Sequence, residues 1–149
     1  MRFSSSSLNI WIETMEKLTV YGYRLGKNSE IEFVPFKKSL IRYGSAESNV
    51  SLRLTMANLL TYLLSHAVGT VVADKALQIQ VWENHGLRCS SQRLWQVMNN
   101  LKRKLEQFDL PEDFIVRVAG KGYMIPDEMV LKLYCREGFF KTDGDARLQ

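Results

Sequence analysis

The spacing of apolar residues changes character along the chain. Between Leu18 and Leu54 they fall in short runs rich in β-branched and aromatic side chains, LTVYGYRL, IEFVPF, SLIRY and NVSLRL, separated by the turn-like stretches GKNSE, KK and GSAES. That texture predicts four strands joined as an antiparallel meander. Pro35 removes a backbone donor from the second run, which restricts its strand to an edge or a bulge. At Thr55 the period lengthens: Leu59, Leu60, Leu63 and Leu64 form one helical stripe up to Ser65 or His66, with Thr55 as N-cap and Gly69 ending the element. Val71 and Val72 lead to Asp74, and Ala76, Leu77, Val81 and Trp82 mark a second, short helix followed by the loop ENHGLRC. A third helix opens at Ser90 or Ser91 as N-cap and runs through SSQRLWQVMNNLKRKLEQF. After DLPED, the runs FIVRVA and YMI joined by GKG read as a tight hairpin, because the two glycines permit positive φ.

Pattern defines the two ends less well. In residues 1–17, Leu8, Trp11, Ile12 and Met15 continue to Leu18 at helical spacing, whereas Leu8, Ile10 and Ile12 also fit a strand; a short helix is slightly favoured. Beyond Pro126, EMVLKLY is an amphipathic remnant, and the polar end TDGDARLQ is expected to be disordered. The chain of 149 residues is thus read as one domain at 18–126, with a leader at 1–17 and a C-terminal extension at 127–149.

The third helix carries the chemistry. At 100° per residue, Leu94, Met98, Leu101 and Leu105 share an arc of about 60°, with Val97 at its edge, and this stripe faces the core. Gln92, Gln96, Asn99 and Arg103 lie opposite, flanked by Arg93 and Asn100 on one shoulder and by Trp95, Lys102 and Glu106 on the other. A helix dressed only for solubility mixes Glu with Lys, yet no Asp or Glu stands between Glu83 and Glu106, while Arg88, Arg93, Lys102, Arg103 and Lys104 do. Amides pair bidentately with adenine N6 and N7, and Arg with guanine O6 and N7. Gln92, Gln96, Asn99, Asn100 and Arg103 are therefore candidate base readers, and Arg88, Ser91, Arg93, Lys102, Lys104 and the hairpin's Lys121 are candidate phosphate contacts.

Whole-chain composition adds little to this local field. A balance of 20 basic against 16 acidic residues, with a pI near 9.1, is a mild pull towards an anionic partner. The longest apolar run, LLTYLLSHAV, is interrupted by polar residues and falls far short of the roughly 20 residues of a membrane span. The start lacks the apolar segment and cleavage site of a secretory signal, so a cytoplasmic location is expected. Cys89 and Cys135 form no C-x-x-C pair, and with His66 and His85 the only histidines, neither a disulfide scaffold nor a zinc site is supported. Cys89, near a helix N-terminus, sits where a thiol pKa can fall, but no resolving cysteine accompanies it. GKGY is too short for a phosphate-binding loop, and no paired carboxylates or nucleophile–base set stands out. No enzymatic activity and no cofactor are expected.

The order of strand meander, three helices and hairpin resembles the winged helix-turn-helix domain of the OmpR/PhoB-type transcriptional regulators, in particular the ToxR and CadC-like branch. The resemblance covers about residues 21–125 and rests on LRLTMANLLTYLLSHAVGTVVADKALQIQVW, LKRKL and VRVAGKGYMI occurring jointly, in order and at the right separations. It implies an α+β fold: an N-terminal four-stranded antiparallel sheet, three helices and a C-terminal β-hairpin wing. It also implies that 73–82 is the positioning helix, 83–89 a turn that contacts RNA polymerase in some relatives, 91–106 the major-groove helix, and GKG the wing. The sequence departs from the family in having Asn58 where an acid often follows the first helix's Thr, and Ala119 where many relatives carry Arg before the first wing glycine. Neither a phospho-acceptor receiver domain before the module nor a membrane span after it is expected from these 149 residues.

For the polar arc of the third helix the plain alternative is a solvated face, and its place in the resembling order weighs against that. Trp82 and Tyr123 read as core, and Trp95 either packs under the hairpin or lies beside a sugar. Two function classes follow. One is a sequence-specific double-stranded DNA-binding transcriptional regulator. The other is a winged-helix protein-interaction module that modulates another regulator or RNA polymerase. Whether residues 1–17 or 127–149 support a homodimer stays open.

Overall fold

A computed structural model of the chain describes residues 18–44 and 48–136. The leader at 1–17, the centre of the GSAES turn and the tail from 137 onward lie outside them, and with them the helix favoured for the leader and the disorder expected of the tail. Strands β1 (Leu18–Leu25), β2 (Ile31–Val34), β3 (Ser39–Arg42) and β4 (Ser48–Ser51) form the expected antiparallel meander. A fifth strand, β8 (Val130–Arg136), is added beside β1, so that the order is β4-β3-β2-β1-β8. The strand count of the first sheet is thus five rather than four. VLKLYCR alternates apolar and polar residues, a pattern that the free edge of β1 turns into a strand by supplying the hydrogen-bonding partner.

Pro35 acts differently from expectation. It does not restrict β2 to an edge, since β2 lies between β1 and β3; it ends the strand at Val34 and opens a 3-10 turn, Pro35–Lys37, closed by Lys38 at φ 52°. The fixed proline φ suits that first turn position, where no ladder donor is needed. Helix α1 (Leu54–His66) begins one residue before Thr55. Arg53, extended at φ −64° and ψ 152°, is the cap residue, and its carbonyl accepts the first helical bond from the Ala57 amide at 2.8 Å. Thr55 is already inside the first turn, and no side chain caps the helix.

The inner faces of the sheet and α1 form the core. Phe33, Leu40, Leu59, Leu60, Leu63 and Leu64 are wholly excluded from solvent. Burial of each such side chain contributes about 1.5–3 kcal/mol, which makes this layer the main source of stability. Helix α2 (Asp74–Leu77) continues into a wider π turn at Gln78–Trp82 and a 3-10 turn at Glu83–His85, ended by Gly86 at φ 76°. Helix α3 (Ser91–Gln107) then crosses α1 and α2.

The hairpin is made of β6 (Val116–Val118) and β7 (Gly122–Met124), and it is anchored by a short strand, β5 (Val72–Ala73), that pairs with β7. The anchoring explains Gly122. Ala73 pairs with Gly122, and a Cβ there would overlap the Val72 carbonyl, which is backbone and has no room to give. Gly120 differs, sitting at φ 73° with nothing near the position of a Cβ. Gly122→Ala is therefore expected to destabilise the fold by about 2 kcal/mol or more. Gly120→Ala should cost only the left-handed backbone penalty of about 1–2 kcal/mol. Urea unfolding followed by circular dichroism checks this ranking, and a smaller loss for Gly122→Ala would refute it.

Candidate nucleic-acid interface

Helix α3 starts where Ser90 leaves helical geometry and its hydroxyl accepts a hydrogen bond from the Arg93 amide at 3.1 Å. Of the two candidate caps, Ser90 is the one used. Its sequence neighbour Ser91 has a different partner: the side-chain amide of Gln78, buried between the helices, reaches the Ser91 hydroxyl at 3.5 Å. This contact joins the π turn that follows α2 to the first turn of α3.

The faces of α3 separate as the helical spacing requires. Leu94, Val97, Met98, Leu101 and Leu105 are buried. Gln92, Arg93, Gln96, Asn100 and Arg103 are exposed, and Asn99, Lys102 and Lys104 are half-buried. Trp95 is 60% exposed, so it does not pack under the hairpin. The structure brings Gln92, Gln96, Asn99, Asn100 and Arg103 onto one surface, with Lys102 and Lys104 at its margins.

A groove lies on each side of that surface. One, of about 300 Å³, runs between α3 and the hairpin and includes Ser91, Trp95, Asn99, Lys102, Asp74 and Arg117 in its lining. Arg117 donates to an Asp74 carboxylate oxygen at 2.6 Å and lies 4.7 Å from the centre of the Tyr123 ring. The Lys102 ammonium approaches the same ring at 5.7 Å. Tyr123 is buried, as expected, and burial is the main reason its phenol pKa is raised. The hydrogen bond to Asp74 chiefly raises the pKa of Arg117, which stays charged at any working pH. The second groove, of about 310 Å³, lies between the start of α1 and the second half of α3, lined by Arg53, Met56, Asn100, Arg103, Lys104 and Gln107. No acidic side chain lines it.

At the hairpin tip the Lys121 amide bonds the Val118 carbonyl at 3.0 Å, and Gly120 occupies the third turn position with positive φ, as a type II turn requires. Ala119, Gly120 and Lys121 are exposed. Arg88 is exposed in the turn before α3 and belongs to neither groove.

Sequence reasoning passed over Arg53 and Arg117. Arg117 stood between Val116 and Val118 as the outward position of a strand, and that alternation was the available signal. Arg53 had none, because its relation to Arg103 depends on how α1 and α3 cross. The lowered thiol pKa considered for Cys89 is reversed: desolvation by burial outweighs the backbone hydrogen bond and the nearby Arg93, and the pKa is raised. His66 stacks on Tyr62 at 4.3 Å, His85 is exposed in the turn, and the described residues hold no group able to bind a metal ion. No helix among them is long and apolar enough to cross a membrane.

This architecture has counterparts among known proteins. The DNA-binding domain of Escherichia coli CadC superposes with a TM-score of 0.62 over 75% of this chain and 96% of that one, at 22% identity. The DNA-binding domain of the response regulator AdeR, solved in complex with an intercistronic region, gives a TM-score of 0.54 over 65% of this chain and 94% of that one, at 16% identity. At these identities the likeness establishes the winged-helix fold. A curated relative, the uncharacterized protein YqeI of Escherichia coli (strain K12), is 30% identical over 103 residues, which span 68% of this chain but only 38% of the relative. Residues 47–125 match the model of the family described as transcriptional regulatory protein, C terminal. The chain belongs to that family of OmpR/PhoB-type winged-helix DNA-binding domains, which regulate transcription and are not enzymes.

Proposed function

We propose that this chain is a sequence-specific regulator that binds double-stranded DNA with α3 in the major groove and the hairpin against the backbone or the minor groove. The observation that carries this reading is the exposed, acid-free arc of α3 before Glu106, bordered on one side by the groove of Arg53, Arg103 and Lys104. Uncharged amides that donate and accept suit base edges, and the cations beside them suit phosphates. That AdeR was solved with an intercistronic region agrees with this use of the fold. Arg53 joins Arg88, Ser91, Arg93, Lys102, Lys104 and Lys121 as a phosphate contact. The turn at 83–89, exposed from Glu83 to Arg88 with Leu87 half uncovered, is the surface we assign to RNA polymerase.

Gln96, Asn99 and Arg103 supply sequence discrimination in this reading. Replacing any one by Ala is expected to cost about 1–3 kcal/mol on a site selected from a random DNA pool and much less on unrelated duplexes. Titrations on both DNAs test it, and equal losses would make these residues phosphate contacts instead.

With Arg53, Arg88, Arg93, Lys102, Lys104 and Lys121 each neutralising one phosphate, log K should fall against log salt with a slope of roughly −5 to −6. Lys104→Ala and Arg53→Ala should each reduce the slope by about one without altering site preference. Binding that ignores salt would favour the protein-interaction reading.

At the wing, Lys121 contributes charge, since Ala119 offers only a methyl group and backbone. Lys121→Ala is expected to weaken specific and non-specific duplexes by a similar modest factor, and Lys121→Glu to weaken both further by reversing the field. Unchanged affinity of a folded Lys121→Glu protein would remove the wing from the interface.

A further inference from the structure

We propose that β8 is a self-complementary edge through which two copies of this chain join their sheets, antiparallel and centred on Leu133. Strand β8 ends the five-stranded sheet: it pairs with β1 on one side, and among the described residues nothing pairs with the other. The opposite edge, β4, is short and polar, SNVS, as protected edges commonly are. By contrast, β8 runs for 7 residues without proline, its irregularity falls on β1 between Val20 and Gly22, and Leu131 and Tyr134 are 55% and 54% exposed. A strand of this kind presents a row of backbone donors and acceptors to an incoming strand.

Overlap and charge together select the register: an axis through Leu133, the midpoint of Val130–Arg136, pairs all 7 residues of the strand, whereas one through Leu131 or Cys135 leaves most of the strand unpaired. In a twofold antiparallel pairing, residues facing each other must belong to the same sheet face, so the axis passes through a residue of the strand. Centring on Lys132 would oppose the two Lys132 ammoniums, and centring on Tyr134 would oppose Lys132 to Arg136. Centring on Leu133 avoids both. Lys132 then faces Tyr134 of the second copy, Arg136 faces Val130, Leu131 faces Cys135, and the two Leu133 side chains meet. The register with β1 puts Leu131 and Leu133 on the face that carries Arg24 and Gly22, and Lys132 on the face of the core residue Tyr23. One face of the joint is thereby a continuous apolar strip and the other holds two Lys–Tyr pairs, each a cation–π match.

The experiment is sedimentation of the full chain over about 1–100 μM, a range in which a weak dimer changes its population. The natural chain should show a monomer–dimer equilibrium. Tyr134→Lys brings an ammonium opposite Lys132 twice in the dimer, and should raise the dissociation constant at least about tenfold. Lys132→Glu combined with Tyr134→Lys makes both pairs attractive and should restore dimerisation. Circular dichroism establishes that each variant is folded, which the exposure of both positions permits. A chain that stays monomeric throughout would overturn the proposal, and so would a dimer unaffected by Tyr134→Lys. Failure of the double variant to restore association would overturn the register. None of these readouts depends on DNA.

Discussion

Everything at the candidate interface depends on the burial of one side of α3. Leu94, Met98, Leu101 and Leu105 are at most 3% exposed, and they lock the rotation of the helix about its own axis. A rotation by one residue, about 100°, would carry an Arg93 or Lys102 side chain into the core, where an unpaired charge costs several kcal/mol or more. The outward direction of the amides is thus a consequence of the apolar stripe behind them. Since α1 supplies the other side of that contact, the sheet-backed layer of Leu59, Leu60, Leu63 and Leu64 is also what holds the polar arc in place.

The hairpin is tied to this frame by backbone and by charge. Pairing of β5 with β7 joins the entrance of α2 to the wing, and the close approach at Gly122 makes that joint intolerant of any side chain. The Asp74–Arg117 pair and the ring of Tyr123 brace the same joint from the α3 side. Arg117 is therefore committed to a partner within the domain, whereas Lys121 at the tip has no ion pair among the described residues. The two hairpin cations differ in consequence: one sets the geometry of the groove, and the other extends its charge outward.

Beyond the winged helix itself lies the question of what the domain serves. The chain spans 38% of the length of the curated relative it matches, and the family assignment concerns the DNA-binding unit at 47–125. Strand β8 lies past that unit yet belongs to the same sheet, so the fold of this chain extends further than the family match.

The sequence by itself determined the elements whose partners lie within their own pattern. The two faces of α3 were legible because a period of 3.6 sorts apolar from polar positions without reference to the rest of the chain. β1 was legible over its full length, Leu18–Leu25, and the hairpin through the GKG glycines. Tertiary structure decided what depends on a second segment. VLKLYCR became a strand only because β1 offered an open edge, and Val72–Ala73 became one only because β7 lay beside it. Pro35 proved to be a strand terminator inside a sheet because β3 returned alongside β2. Asp74 and Arg117, 43 residues apart, meet across the joint between α2 and the wing. Arg53 reaches Arg103 and Lys104 by the crossing of α1 over α3. Local periodicity encodes which face of an element is inward, because burial acts on each side chain separately, whereas convergence of charges across elements depends on packing angles that no single segment contains.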